Sequence, residues 1–266
     1  QLSPGEDAMD FYIQHLTDEE LEQLEEEEHS HAVETFALIL LMLSEVSSDL
    51  EKEYNSFYQK YGKDGVVTYN EARKWVSEKD HRRRITVMFL LIASQFDKAF
   101  VDFENNFRNH LKTIIETEAD YFGVDLNIDD ILNTPWGVDE LTWMDRLYAY
   151  QDKWIATISN DFKTLLHKRS SLDDVLDELG ERFESIEKLL WKLYTTETTA
   201  VGSIARREIF KELGIKKYRF YTREDERTCE HCGSLHGLTF PISAFEIGVT
   251  ASPIHPYCRC FEIPVD

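Results

Sequence analysis

The chain has 266 residues, 42% of them hydrophobic, and its 51 acidic and 29 basic side chains give a net charge of −22. Such a surface repels the phosphates of bare DNA, which argues against nucleic-acid binding by the surface as a whole. Glycine and proline are scarce, at 11 and 6 residues, which disfavours a loop-rich β-sandwich and favours long helices.

The first two hundred residues predict one helix after another. Thr17 begins a capping box at the start of the first helix. Gly62 and Gly65 interrupt the helical pattern that follows. Thr68 begins a second capping box, and we expect the helix that it starts to include Trp75.

The longest periodic stretch runs from Ile85 to Phe122, with apolar side chains at steps of three or four residues. This spacing predicts one helix, about 55 Å long if it is unbroken, and therefore an elongated body. The cluster Arg82–Arg84 precedes this stretch. Either these arginines pair with the acidic runs of the chain or they contact phosphate, and the excess of carboxylates favours pairing.

The remaining elements alternate between long helices and a short strand-rich end. Helices are predicted at residues 141–165, 171–186 and about 189–213, with Gly214 as a C-terminal cap, and strands at residues 217–222, 238–240 and 261–265. We therefore expect an α+β fold that is mostly α. A long-helical N-terminal body would span residues 1–188, and a small C-terminal α+β zinc-knuckle domain would span residues 189–266.

No stretch of the sequence predicts a membrane span. The longest apolar runs, Phe36–Leu43 and Val87–Ala93, are shorter than the roughly 20 residues that cross a bilayer. No signal peptide precedes the acidic N-terminal region. We expect a protein of the cytosol, or of a particle assembled there.

All four cysteines lie within the last 38 residues. Cys229 and Cys232 form a C-x-x-C knuckle, and His255, Cys258 and Cys260 follow in a second segment. Zinc takes four sulfur or imidazole ligands in a tetrahedron, and two such segments supply them. The spacing predicts structural Zn²⁺ bound by Cys229, Cys232 and Cys258, with His255 or Cys260 as the fourth ligand.

Other interpretations of the cysteines are weaker. Disulfides between such near neighbours are strained, and a cytosol keeps them reduced. A thioredoxin-like redox pair would need a βαβ setting around the C-x-x-C motif, and the sequence predicts none there. His231 and His236 are expected at the surface or behind the ligands. A closed four-ligand site leaves no position for water, so no catalytic residue is predicted.

The residues around the cysteines resemble a known family. Residues 225–237 read D-x-R-T-C-x-x-C-x-x-L-x-G, and residues 253–260 read P-I-H-P-Y-C-R-C. Both are similar to the signature of the Mu F-like phage head morphogenesis family, with Ser252 where the family has proline. Upstream, Thr196 and Glu197 match a Thr-Glu pair of the family, although Thr195 stands where arginine is usual. This resemblance covers roughly residues 189–262.

The helical body is similar to minor capsid proteins of phages that infect Gram-positive bacteria, through Pro135-Trp136 and residues 143–147. Together the resemblances imply a minor head protein that associates with the portal protein and with other capsid or scaffold proteins. They imply a role in head morphogenesis and in DNA packaging or ejection. The protein would reside in the virion, in the head interior at the portal vertex, after assembly in the bacterial host cytoplasm.

Two other functions are considered. A toxin-like hydrolase or nuclease would need catalytic groups, but no H-E-x-x-H, G-x-S-x-G or Walker motif is present, which leaves a Glu197–His255 acid/base pair as the candidate. A zinc-containing nucleic-acid-binding module, making local contact with packaged double-stranded DNA, would use basic residues interleaved with aromatic ones. Those basic residues are Lys216, Lys217, Arg219, Arg223 and Arg227.

Overall fold

The computed structural model describes residues 18–76 and 82–265, and it describes the side chains from residue 36 onward. The elements, in chain order, are α1 (Asp18–Tyr61), α2 (Tyr69–Ala72), α3 (Arg84–Phe122), α4 (Ile128–Leu132), α5 (Trp143–Lys168), α6 (Leu172–Glu212), β1 (Lys217–Tyr221), α7 (Glu230–Leu235), β2 (Thr239–Pro241) and β3 (Phe261–Val265). The predicted fold class, α+β and mostly helical, is confirmed. The capping box at Thr17 lies outside the described residues.

Most predicted helix ends agree with the structure, but α2 is shorter than expected. Helix α1 ends at Tyr61, directly before the glycine pair. The Thr68 hydroxyl caps α2 by accepting from the backbone of Glu71 at 3.2 Å. The prediction that this helix includes Trp75 is wrong. Trp75 instead forms a backbone bridge with Arg83, which uses groups that a longer helix would need.

Helix α6 joins two helices that the sequence predicted separately. It begins after Ser171, whose hydroxyl accepts from the backbone of Asp174 at 3.2 Å. It continues without a break to Glu212, because the residues between the two predicted helices, Glu187 and Lys188, are good helix formers. Gly214 follows the helix with φ of +71°, as expected for a C-terminal cap.

The chain divides into two compact units, and the first comprises residues 37–106 and 144–191. We call it the helical unit. Aromatic pairs fill its core, including Tyr54 stacked on Phe162 at 4.7 Å between ring centres and Phe96 stacked on Phe183 at 6.0 Å. Pairs of this kind contribute beyond the apolar area that they bury.

The second unit, which we call the sheet unit, comprises residues 1–36, 107–143 and 192–266. Its core includes Phe107 stacked on Tyr194 at 4.6 Å. Its antiparallel sheet has the strand order β2-β1-β3, and the central strand buries Tyr218 and Phe220 on one face. The sheet unit contains all five predicted metal ligands. The predicted domain boundary between residues 188 and 189 stays a prediction.

The apolar runs of the sequence do not produce a membrane-spanning helix. Within residues 18–76 and 82–265, no helix is both long enough and apolar enough to cross a bilayer.

Candidate metal centre

The first pair of candidate ligands sits at the start of α7. Cys229 is the N-terminal cap of this helix, and its sulfur accepts from the backbone of Cys232 at 3.3 Å. This hydrogen bond lowers the pKa of Cys229 and favours its thiolate. Because three residues make nearly one helical turn, both sulfurs lie on the same side of the helix.

His255 reaches this pair from the second segment. Its Nε2 atom lies 3.2 Å from the sulfur of Cys229 and 3.2 Å from the sulfur of Cys232. Its Nδ1 atom donates to the carbonyl of Pro256 at 2.8 Å. A backbone carbonyl that holds one ring nitrogen leaves the lone pair of the other free for a metal ion.

Cys258 and Cys260 complete the cluster from the side of β3. The sulfurs of Cys232 and Cys258 are 3.9 Å apart, and the ligand atoms of Cys232, Cys258 and Cys260 all lie within 4.8 Å of one another. The hydrogen bond from Cys260 lowers the pKa of Cys258 to about 5, and the same bond raises the pKa of Cys260. Burial and the neighbouring Cys258 raise the pKa of Cys232 to about 12.

Two separations within the cluster are close to those of a tetrahedral zinc site. Tetrahedral zinc holds two sulfurs about 3.8 Å apart and a sulfur and a nitrogen about 3.6 Å apart. The 3.9 Å and 3.2 Å separations found here differ from those values by a few tenths of an ångström. The four cysteines are free, so the disulfide alternative is not realised. The structure thus brings the predicted ligands together in two overlapping groups that share Cys232.

An ion pair joins the two halves of the sequence motif. The Arg259 guanidinium donates to the carboxylate of Asp225 at 2.6 Å. The same carboxylate oxygen accepts from the backbone of Arg227 at 3.0 Å and from the hydroxyl of Thr228 at 3.3 Å. Arg259 holds the pKa of Asp225 well below its usual range. The acidic and basic residues of the motif therefore fix the loops that carry the cysteines.

Helix α6 holds the second cysteine segment through threonine hydroxyls. Thr199 donates to the carbonyl of Cys258 at 3.1 Å, and Thr196 accepts from the backbone of Tyr257 at 3.3 Å. Thr196 belongs to the Thr-Glu pair that the sequence singled out, whereas Thr199 was missed. Its position three residues after Thr196, nearly one helical turn, is the signal that could have revealed it.

The other residues considered as site candidates lie elsewhere. Glu197 is buried and accepts from the indole nitrogen of Trp136 at 2.7 Å. Among the described residues, His255 forms no hydrogen bond with Glu197, and both its ring nitrogens are already engaged. His231 is exposed, and His236 accepts from the backbone of Thr222 at 3.2 Å. Neither histidine belongs to the two ligand groups found among the described residues.

A buried carboxylate lies next to the segment that carries the second ligands. Glu262 on β3 accepts from the backbone of Ser252 at 2.6 Å and from the hydroxyl of Ser203 at 3.0 Å. Burial raises the pKa of Glu262 to about 7, although the nearby Arg206 and the serine hydrogen bonds oppose the shift. The proton on Glu262 is therefore part of the folded state at mildly acidic pH.

We expect Glu262→Gln to remove a pH dependence of stability. Between the unfolded pKa of 4.5 and the folded value of about 7, the native state keeps a proton that the unfolded chain loses. Stability thus falls as pH rises through this window, by about 3 kcal/mol in total. The neutral amide avoids this loss. Urea unfolding at pH 5 and pH 8 should show the variant gaining about 2–3 kcal/mol relative to the natural protein at the higher pH.

The exposed Glu246 provides the control, because Glu246→Gln removes one formal charge from the surface of the same unit. Its difference from the natural protein should be similar at the two pH values. A constant difference for Glu262→Gln as well would mean that the buried carboxylate does not retain its proton.

Comparison with known proteins gives one match. Residues 157–263 match a family model described as Phage Mu protein F like protein. The match includes every candidate ligand, the Asp225–Arg259 pair and the threonines of α6. No curated protein and no solved structure matches the chain.

Proposed function

We propose that the chain acts in head morphogenesis as a minor head protein of the virion, because residues 157–263 match the family model described as Phage Mu protein F like protein. The observation that supports this proposal is that the family's motif residues are the ones that build the cluster: the cysteines, His255 and the Asp225–Arg259 pair. The proposal includes association with the portal protein and with other capsid or scaffold proteins, and a role in DNA packaging or ejection.

We further propose that the cluster binds one structural zinc ion through Cys229, Cys232, Cys258 and His255. His255 is preferred over Cys260 as the fourth ligand because its Nε2 faces both knuckle sulfurs and its other nitrogen is held by a carbonyl. A zinc ion with four protein ligands cross-links the two segments and leaves no position for a substrate water, which supports a role without enzymatic activity.

Co-assembly with the portal tests the head function. The chain, produced together with the portal subunit encoded by the same phage, is expected to co-purify with the portal oligomer. A phage lacking the chain should yield heads with reduced infectivity, and the natural chain supplied in trans should restore it. The exposed variant His231→Ala serves as the matched control, since it keeps every proposed ligand. Normal heads without the chain, together with absence of portal binding, would contradict the proposal.

One observation favours a second activity, local contact with packaged DNA. Lys217 and Arg219 alternate along β1 with the buried Tyr218 and Phe220, so both cations project from the exposed face of the sheet. The phosphates of DNA attract such paired cations even on a chain whose overall charge is negative. This contact would accompany the head function.

Binding of a short labelled duplex tests the DNA contact. Lys217→Glu combined with Arg219→Glu is expected to weaken binding at least tenfold, and to reduce the slope of log affinity against log salt by about 2. Lys153→Glu combined with Lys163→Glu changes the same charge on exposed positions of α5 and should leave the slope unaltered. Equal loss of DNA affinity in both double variants would mean that overall charge, and not Lys217 and Arg219 in particular, causes the binding.

A further inference from the structure

The arginine cluster before α3 belongs to a larger basic surface of the helical unit. We call this surface the basic end, and it consists of the exposed side chains Lys63, Arg73, Lys74, Arg82, Lys168 and Arg169. These residues come from three separate segments: the loop after α1, the segment around α2 up to the start of α3, and the end of α5.

Backbone and ring contacts bring the three segments together. Val66 forms a backbone bridge with Ser171, which joins the loop after α1 to the residues that follow α5. The ring of Tyr69 stacks on that of His167 at 3.7 Å, and the Arg73 guanidinium lies 5.8 Å from the Tyr69 ring centre. The basic end is therefore one continuous surface within the helical unit.

The charge of this surface opposes that of the chain. Residues 60–84 contain eight basic and four acidic side chains, and residues 167–171 add two basic ones, for a local net charge of +6 in a chain of −22. Of the six residues of the basic end, Lys74 alone forms an ion pair with a carboxylate of a described residue, Glu71. Arg84 of the arginine cluster also contacts Glu71, which lies outside the acidic runs, so the predicted pairing with those runs stays a prediction.

We propose that the basic end binds the acidic run at residues 18–28 of a second copy of this chain. That run contains eight acidic and no basic side chains, and it lies in the first turns of α1. Its charge complements that of the basic end, as interacting surfaces require.

Duplex DNA fits the basic end less well than this acidic run does. The acidic run supplies eight carboxylates for the six exposed cations of the basic end, whereas a long duplex extends beyond those cations. Because each copy carries both surfaces and the two differ, the contact is heterologous, so it closes into a ring or propagates as an open chain.

Sedimentation of the full chain tests this contact between copies. At about 0.01 M salt, where charges act over roughly 30 Å, the mass should rise above that of the monomer with protein concentration, and about 1 M salt should abolish the rise. Lys63→Glu, Arg82→Glu and Lys168→Glu together should weaken association at least tenfold. Glu25→Lys, Glu26→Lys and Glu27→Lys together should do the same. Mixing the two variants should restore association between unlike copies, because the first variant keeps the natural acidic run and the second keeps the natural basic end.

The matched control reverses three exposed lysines elsewhere in the helical unit, Lys98, Lys153 and Lys163, and should associate like the natural chain. Equal loss in this control, a salt effect that does not depend on protein concentration, or failure of the mixed variants to associate would each overturn the proposal. The proposal would also be overturned if reversing the charges of the basic end weakened binding of duplex DNA and left association between copies unchanged.

Discussion

Replacing Cys232 with serine is expected to abolish zinc binding and to unfold the C-terminal segment of the chain. Cys232 belongs to both ligand groups, so its loss breaks the site whichever residue is the fourth ligand. The C-terminal segment after α6 is small, so it buries little apolar surface of its own. Structural zinc contributes on the order of 10 kcal/mol to the folding of comparable peptides. Zinc content should fall from about one ion per chain to none, with loss of the near-ultraviolet dichroism of the sheet aromatics.

His231→Ala is the control, because it removes an imidazole from the same knuckle without touching either ligand group. It should keep both the metal and the fold. A chelator added to the natural protein should reproduce the effect of Cys232→Ser. Natural protein that is metal-free and retains the dichroism of the sheet aromatics would contradict the structural role of zinc.

Measurement of zinc content also distinguishes His255 from Cys260 as the fourth ligand. If His255 coordinates the ion, His255→Ala should lower zinc affinity by orders of magnitude, whereas Cys260→Ser should retain about one ion per chain. The absorption of the cobalt-substituted protein reports the number of sulfurs, and it should indicate three sulfurs and one nitrogen. An unchanged cobalt spectrum in His255→Ala, with a changed one in Cys260→Ser, would assign the position to Cys260.

Arg206→Leu is expected to destabilise the sheet unit by about 3–5 kcal/mol, because it leaves a buried carboxylate without its counter-charge. The Arg206 guanidinium on α6 contacts the carboxylate of Glu118 on α3, and both side chains are buried. Glu262 lies close enough to Arg206 for its pKa to respond. Chemical denaturation of the zinc-loaded protein measures the loss.

The neighbouring residue provides a control for Arg206. Arg207 is partly exposed and pairs with Glu208, so Arg207→Leu should cost less than about 1 kcal/mol. Adding Glu118→Leu to Arg206→Leu should recover a large part of the stability, since an apolar pair can replace a buried ion pair. No recovery in the double variant would mean that lost packing, and not the unpaired charge, causes the destabilisation.

Helical periodicity predicted the long elements of the fold because it is a local property. The stretch from Ile85 to Phe122 became α3, which begins one residue earlier, at Arg84, and ends at Phe122 as predicted. Local signals were less informative where tertiary contacts compete. The capping box at Thr68 starts a helix, but the bridge between Trp75 and Arg83 ends it early. The division of the helical segments between the two compact units depends on contacts between residues distant in sequence. The spacing of apolar residues does not predict such contacts.

The sequence could name five candidate ligands because metal chemistry constrains both residue type and spacing, and their binding of an ion stays a prediction. All five predicted residues lie in the cluster. Their support could not be predicted in the same way. The bond between Asp225 and Arg259 spans 34 positions, and that between Thr199 and Cys258 spans 59. The sequence motif contains three of these four residues, all except Thr199, without indicating which of them are in contact.

Because α6 is uninterrupted, the cysteine-bearing end of the chain cannot easily be exchanged between proteins. The first half of α6 contributes Val175, Leu179 and Phe183 to one compact unit, and its second half carries the threonines that hold the cysteine segment of the other. A graft of residues 189–266 onto a foreign protein would sever a helix in the middle. It would also leave behind His110 and Trp136, the hydrogen-bond partners of Thr198 and Glu197. An exchange of this region that preserves the fold must therefore transfer the helical partners along with the cysteine-bearing end.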